Sequence, residues 1–186
     1  MIEVSAEAIE RVECILAGVP KGAERALSNA INRGLSRVKT GATKRVKEVY
    51  TVQSSAINEA TNTKIQKAST GKLAGYIHFS GCKIPLYKFK VTPKAPGVKK
   101  QVTAAVKKGG GTAFENAFIA QMKSGHTGVF ERETSKRLPV EEKMGLAMAQ
   151  MVGNLNVMTE IEKEAQEVIN ERLEHEIERI LNGYGG

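Results

Sequence analysis

Apolar residues recur three or four positions apart at both ends of this chain and two apart in its middle. The first period belongs to helices and the second to strands. Residues 5–17 predict a short amphipathic helix, with Ser5 as its cap and Ala8, Ile9, Val12, Ile15 and Leu16 as its apolar face. Gly18-Val19-Pro20 ends it, because glycine favours a helix exit and proline cannot continue one. Residues 21–49 predict a longer helix, whose stripe runs through Ala26-Leu27, Ala30-Ile31, Gly34-Leu35, Val38, Ala42 and Val46. That stripe is rich in Ala and Gly, which permits close helix approach. A further short helix is expected over 53–60.

The middle changes period. Extended segments are expected over 73–79, 84–91, 102–106, 117–122 and 129–132. Pro85 places the second at an edge or a bulge. Residues 140–152 and 156–181 return to helical spacing, and Thr159 with Glu162 has capping-box form. No strand–helix–strand alternation appears, so the fold class is α+β. A small antiparallel sheet is expected, packed by the 21–49 helix and the 156–181 helix. The latter would span roughly 39 Å at 1.5 Å per residue. That is long for so small a domain. Part of its stripe, at Ile161, Ile169, Leu173 and Ile177, is therefore expected at a subunit interface.

The length of 186 residues allows one domain, or one with a helical extension. We read 1–186 as a single domain, with a short N-terminal helix over 1–19 and a C-terminal helix over 154–186. Residues 92–111 are a Lys/Gly-rich flexible loop or hairpin. Hydrophobic residues make up 41% and charged residues 26%, a globular balance. Aromatics are 5% and Trp is absent, so the core must come from Ala, Val, Ile, Leu and Met. No apolar run approaches the ~20 residues needed to span a bilayer. The start lacks a signal peptide's basic flank, and two cysteines make no disulfide framework. Synthesis in a reducing cytoplasm is the expectation.

Charge sharpens the picture. Residues 21–110 hold 19 Lys and Arg against three Glu, a balance of +16; residues 141–186 hold 4 against 10 Glu, a balance of −6. Such asymmetry suits an acidic partner for the first part, or docking of unlike ends between subunits. From Lys83 to Lys108 there are eight Lys and no acid. Lysines are mobile point charges, suited to non-specific phosphate contact rather than base reading. A solvated loop or an acidic protein partner explains them as well. Lys94, Lys99, Lys100, Lys107 and Lys108 are the expected nucleic-acid or partner contacts.

Candidate chemistry is sparse. The histidines are His78, His126 and His175, and no metal-ligand spacing links them. His78 and Cys82 could form an imidazole–thiolate couple, but no oxyanion hole or orienting group stands at a readable spacing. Gly109-Gly110-Gly111 lacks the Lys-Ser/Thr that a phosphate loop needs. No catalytic residue, metal ligand or cofactor is expected.

The run from Ala117-Phe118-Ile119 through Lys123-Ser124-Gly125 to Val129-Phe130-Glu131-Arg132, with its sequel Leu138-Pro139-Val140, resembles the phage minor tail protein Z family. Ala30-Ile31-Asn32-Arg33 and Ile84-Pro85-Leu86-Tyr87-Lys88-Phe89 resemble it too. Together these motifs cover roughly residues 20–182. The resemblance implies a non-enzymatic virion component: a tail-completion or neck protein at the head-proximal end of a long tail. It implies partners among the tail terminator, head-completion and tape-measure proteins, in a homo-oligomeric ring, a hexamer being the first choice. Contact with the genomic DNA backbone is open, and no membrane is expected. The alternative is a free-standing, non-specific DNA-binding accessory protein using the Lys-rich 83–108 segment.

Overall fold

The computed structural model describes residues 4–183. The chain divides into two compact units, each assembled from separated segments. Unit 1 takes residues 4–42, 63–78 and 155–183; unit 2 takes 43–62 and 79–154. The α+β class stands, with a long helix near each end of the chain.

Unit 1 is helical. It contains α1 (Ala6–Ile15), the first part of α2 (Gly22–Val49) and α5 (Leu155–Leu181). Ser5 caps α1 as expected, its Oγ accepting the Ala8 N–H at 3.2 Å. Val12 and Leu16 meet Ala26, Leu27 and Ala30 of α2 and Ile169, Leu173, Ile177 and Ile180 of α5 in one buried cluster. Each large apolar side chain there contributes about 1.5–3 kcal/mol by leaving water. The small residues of α2 set the helix separation. A Cβ placed on Gly34 would stand 2.5 Å from Ile169 Cγ1. Asn32 ties the 63–78 segment to α2 from both ends of its amide: Nδ2 donates to the Ala68 carbonyl at 2.9 Å, and Oδ1 accepts the Ala68 N–H at 2.8 Å.

Ile161, Ile169, Leu173 and Ile177 are therefore not a free subunit interface. All four are 4–5% exposed within the single chain. The long helix finds cover along its length because α1 and α2 supply enough apolar surface to use the stripe internally.

Unit 2 holds two three-stranded antiparallel sheets. One runs β3 (Lys90–Thr92), β4 (Val102–Ala105), β5 (Thr112–Phe114); the other runs β6 (Ala117–Gln121), β7 (Thr127–Arg132), β8 (Val140–Glu142). Elsewhere β1 (Thr61–Gln66) and β2 (Tyr76–Gly81) pair as a two-stranded sheet. The strands thus form three small sheets rather than one. Unit 2 also carries α3 (Ser54–Ala60), close to its expected span, and α4 (Met148–Val152). Phe89, Ile84, Val102, Val129, Met148 and Met151 are among its most buried side chains.

Three local expectations change. Residues 84–91 are not one strand: Pro85 leads into a 3₁₀ turn over Leu86–Lys88, closed by the Lys88 N–H on the Pro85 carbonyl at 2.9 Å. Residues 140–152 are not one helix. Val140–Glu142 extends the β7 ladder, and the Gly145 N–H donates to the Ile84 carbonyl at 2.7 Å, leaving helix only from Met148. Gly145 also lies where a Cβ would stand 2.5 Å from Phe89 Cε2. Finally, the glycine triplet turns directly into β5, in register with β4 through Ala104 opposite Thr112. The 92–111 segment is thus a loop, a strand and a turn within a three-stranded meander.

Candidate interaction surfaces

The five lysines singled out from sequence are all exposed, and they fall on separate loops. Lys107 and Lys108 sit at the β4–β5 turn. That turn is pinned to the end of α2: the Lys108 N–H donates to the Val49 carbonyl at 2.9 Å, and the Thr51 N–H to the Val106 carbonyl at 3.0 Å. Lys107 Nζ stands 6.0 Å from the centre of the Tyr50 ring, at the outer reach of a cation–π contact. The last two turns of α2 carry Lys44, Arg45 and Lys47, where the negative end of the helix dipole favours cations. Five cations from two remote segments thereby meet near the end of α2, and three of them, Lys44, Arg45 and Lys108, act on its one acid, Glu48. The Arg45 guanidinium donates to Glu48 Oε2 at 2.8 Å. That hydrogen bond, with the charges of Arg45, Lys44 and Lys108, holds the Glu48 carboxyl below its ordinary value. Burial pushes the neighbouring Tyr50 phenol up, against a hydrogen bond with Asn154.

Lys99 and Lys100 lie on the β3–β4 loop, beside a groove shared with Phe118 and Arg132. The Arg132 guanidinium carbon lies 4.8 Å from the Phe118 ring centre, a closer cation–π arrangement. Phe118 leans on Phe130 at 6.2 Å between centroids, and His126 meets Phe130 edge-on at 6.3 Å. His126 Nε2 is 2.7 Å from Glu142 Oε1. Lys94 stands nearer the loop's start, its carbonyl accepting the Tyr87 hydroxyl at 3.2 Å.

The acidic face of α5 is ordered in the sequence itself. Glu160, Glu164, Glu167, Glu171, Glu174 and Glu178 step alternately by four and three, which places them along one stripe opposite Ile161, Ala165, Ile169 and Ile177. Arg37 pairs with Glu164 at 3.3 Å, and Arg11 grips Glu174 through two bonds of 2.7 and 2.9 Å. Glu176 does not belong to this face. It is fully buried, accepts Asn29 Nδ2 at 3.0 Å, pairs with Arg179 at 2.9 Å and also pairs with Arg172. The flanking arginines at i−4 and i+3 were the sequence signal for it.

His78 and Cys82 are both exposed, as is Cys14. No group of three or more His, Cys, Asp or Glu side chains able to hold a metal occurs among the described residues. No helix among them is long and apolar enough to cross a membrane.

Counting charge by unit changes its meaning. Unit 2 holds 16 Lys and Arg against 7 Glu, a formal charge of +9, whereas the described residues of unit 1 balance 12 against 12. The excess positive charge of the chain therefore belongs to the sheet-bearing unit, where both basic surfaces lie. No curated protein and no solved structure matches the chain. The family model described as prophage minor tail protein Z (GPZ) matches residues 5–184, almost the full length, and the chain belongs to that family of phage minor tail proteins.

Proposed function

We propose that this minor tail protein completes the tail at its head-proximal end and takes part in joining tail to head. It is made in the host cytoplasm and becomes part of the virion. It forms a six-membered ring and meets neighbouring tail and neck proteins: the tail terminator, a head-completion protein or the end of the tape measure. The observation that carries this reading is the segregation of charge. Unit 2 bears +9, while the stripe of α5 carries six Glu, two of which, Glu164 and Glu174, are met by Arg37 and Arg11. Unlike surfaces on one chain favour head-to-tail contacts, which close into rings when the rotation permits. Lys94, Lys99, Lys100, Lys107 and Lys108 then face the lumen or an adjoining ring. The test is in vitro joining of purified heads to tails completed with a variant carrying Glu at those five positions. Joining at the normal yield would refute the role given to the lysines. Light scattering at low and high salt reports the ring separately: a charge-coupled ring loses mass as salt rises.

One observation favours a second reading, contact with the genomic DNA backbone. Lys44, Arg45 and Lys47 join Lys107 and Lys108 at one end of α2. Such a patch neutralises several phosphates, and log affinity should then fall with log salt by about 0.9 for each one. A flat salt dependence for duplex DNA would remove this reading and leave the first intact.

A further inference from the structure

The β1–β2 ribbon shows one face to solvent. Ser80 Oγ donates to the Asn62 carbonyl at 3.3 Å, and the Cys82 N–H donates to the Ala60 carbonyl at 3.2 Å. These contacts run antiparallel, and the same count sets Lys64 against His78 and Gln66 against Tyr76. All four are exposed, whereas Ile65 and Ile77 between them are half-buried. α2 lies against the turn end of the ribbon. Asn32 holds Ala68 through two hydrogen bonds, and a Cβ on Gly75 would stand 2.6 Å from Leu35 Cδ1. Beyond Gln66 the chain turns tightly, Ser69 and Lys72 exchanging backbone bonds of 2.9 and 3.0 Å.

Polar residues are ordinary on the outer face of such a ribbon. Their kind is not. Lys64, Lys67 and Lys72 are all exposed on this hairpin, and no acid occurs from Ala60 to Phe114. Lys39 joins them. It is exposed, and it lies one turn beyond Leu35 and two beyond Asn32, on the stripe of α2 that meets the hairpin. The described part of unit 1 is neutral as a whole, but its twelve Glu all lie on α1, α2 and α5, and its share of α2 holds just Glu24, in the first turn. Two rings stand outward among these cations. Tyr76 is 57% exposed, and His78 follows two positions on, about 7 Å along the strand. Lysines neutralise phosphates without reading bases. An exposed ring offers a stacking surface to a base that is not held in a duplex. An acidic peptide would use the lysines but would give the two rings nothing planar to stack on.

We propose that the outer face of the β1–β2 ribbon binds single-stranded nucleic acid. Lys39, Lys64, Lys67 and Lys72 contact the phosphates, and two bases stack on Tyr76 and His78. The inference holds whether or not the chain oligomerises, and it concerns a different surface from the duplex contact considered for Lys107 and Lys108.

The test titrates the full chain against a fluorescein-labelled oligothymidylate of about twelve nucleotides, followed by fluorescence anisotropy at several salt concentrations. Saturable binding is expected. Tyr76→Ala should weaken it about fivefold or more and leave the salt slope unchanged, because stacking releases no counterions. Tyr76→Phe should keep most of the affinity, since the ring rather than the hydroxyl makes the contact. The variant K64A/K72A should weaken binding and reduce the slope of log affinity against log salt by about 0.7 for each lysine. K107A/K108A should not reproduce either loss. All these side chains are exposed, so the circular dichroism spectra should match that of the parent chain. Parent-like affinity in Tyr76→Ala would overturn the proposal, as would no binding, or a loss that follows K107A/K108A instead of the ribbon variants. So would equally tight binding of a duplex of the same length. An alternating Glu–Val peptide that displaces the oligonucleotide and binds Tyr76→Ala undiminished would give the face to a protein partner and overturn it too.

Discussion

Gly34 is the position where two ordinary rules oppose each other, and the structure decides between them. In an isolated helix, Gly→Ala stabilises by about 0.8–1.0 kcal/mol. In this protein the added Cβ would stand 2.5 Å from Ile169 Cγ1 and 2.7 Å from its Cδ1. Ile169 is 5% exposed and lies in the cluster that joins α1, α2 and α5. Its β-branched χ1 has one strongly preferred rotamer in a helix, so the side chain cannot simply swing away. Overpacking of this kind costs about 1–3 kcal/mol. Gly34→Ala should therefore destabilise by about 0–2 kcal/mol net, and Gly34→Val, which gains no full propensity benefit, by more. Urea unfolding followed by circular dichroism measures both. The double variant G34A/I169A supplies the control. Removing the Ile169 side chain should cost about 2–5 kcal/mol alone, and the pair should cost clearly less than the sum, because the new methyl enters the space that Ile169 leaves. A stabilised G34A, or strictly additive costs, would refute the view that Gly34 fixes the approach of α2 to α5.

Leu173→Ala should lower stability by about 2–5 kcal/mol in the urea midpoint; loss of oligomer mass with unchanged stability would instead return this residue to an interface. Glu176→Gln should cost about 1–3 kcal/mol in thermal unfolding, less than a fully buried pair, because Arg172 and Arg179 keep part of their surface in water. Lys143 has its ammonium held above its ordinary value, chiefly by the hydrogen bond to Glu131 at 2.5 Å. A raised folded value contributes stability that is complete below the unfolded value of 10.5 and is lost as pH rises through the folded one. Lys143→Met should therefore lower stability slightly at neutral pH and flatten the alkaline limb of the stability–pH curve, the two proteins converging above the folded value.

The helices were legible because their signal is local. The stripe over 21–49 and the run over 156–181 appear within a residue or two of their expected bounds, although α5 starts at Leu155 and so holds Thr159 and Glu162 inside the helix rather than as its cap. The same stripe could not say what covers it. Apolar spacing on α5 is equally consistent with a neighbouring subunit and with α1, and only the fold shows that Val12 and Leu16 return to Leu173 and Ile177. The strands were legible where side chains alternate, as in β4 and β7, and hidden where pairing rather than pattern makes them. β5 is three residues after a glycine triplet, and β8 is three residues that helical spacing had absorbed. Both exist because a finished neighbour offers them a ladder, a non-local gain that outweighs local propensity.

The candidate surfaces divide in the same way. Lysine content was readable, but not its company. Nothing in a linear charge count joins Lys107 and Lys108 to Lys44 and Lys47, about sixty positions earlier; two backbone bonds at the end of α2 do so. Nor could a linear count place the charge boundary. Dividing the sequence sets a basic earlier part against an acidic last part, yet two arginines of the first half, Arg11 and Arg37, are engaged by Glu174 and Glu164 of the last. Those pairs cancel within unit 1. What remains is the +9 of unit 2, and on the proposed reading it is this charge, exposed at Lys94, Lys99, Lys100, Lys107 and Lys108, that a partner in the assembled tail would meet.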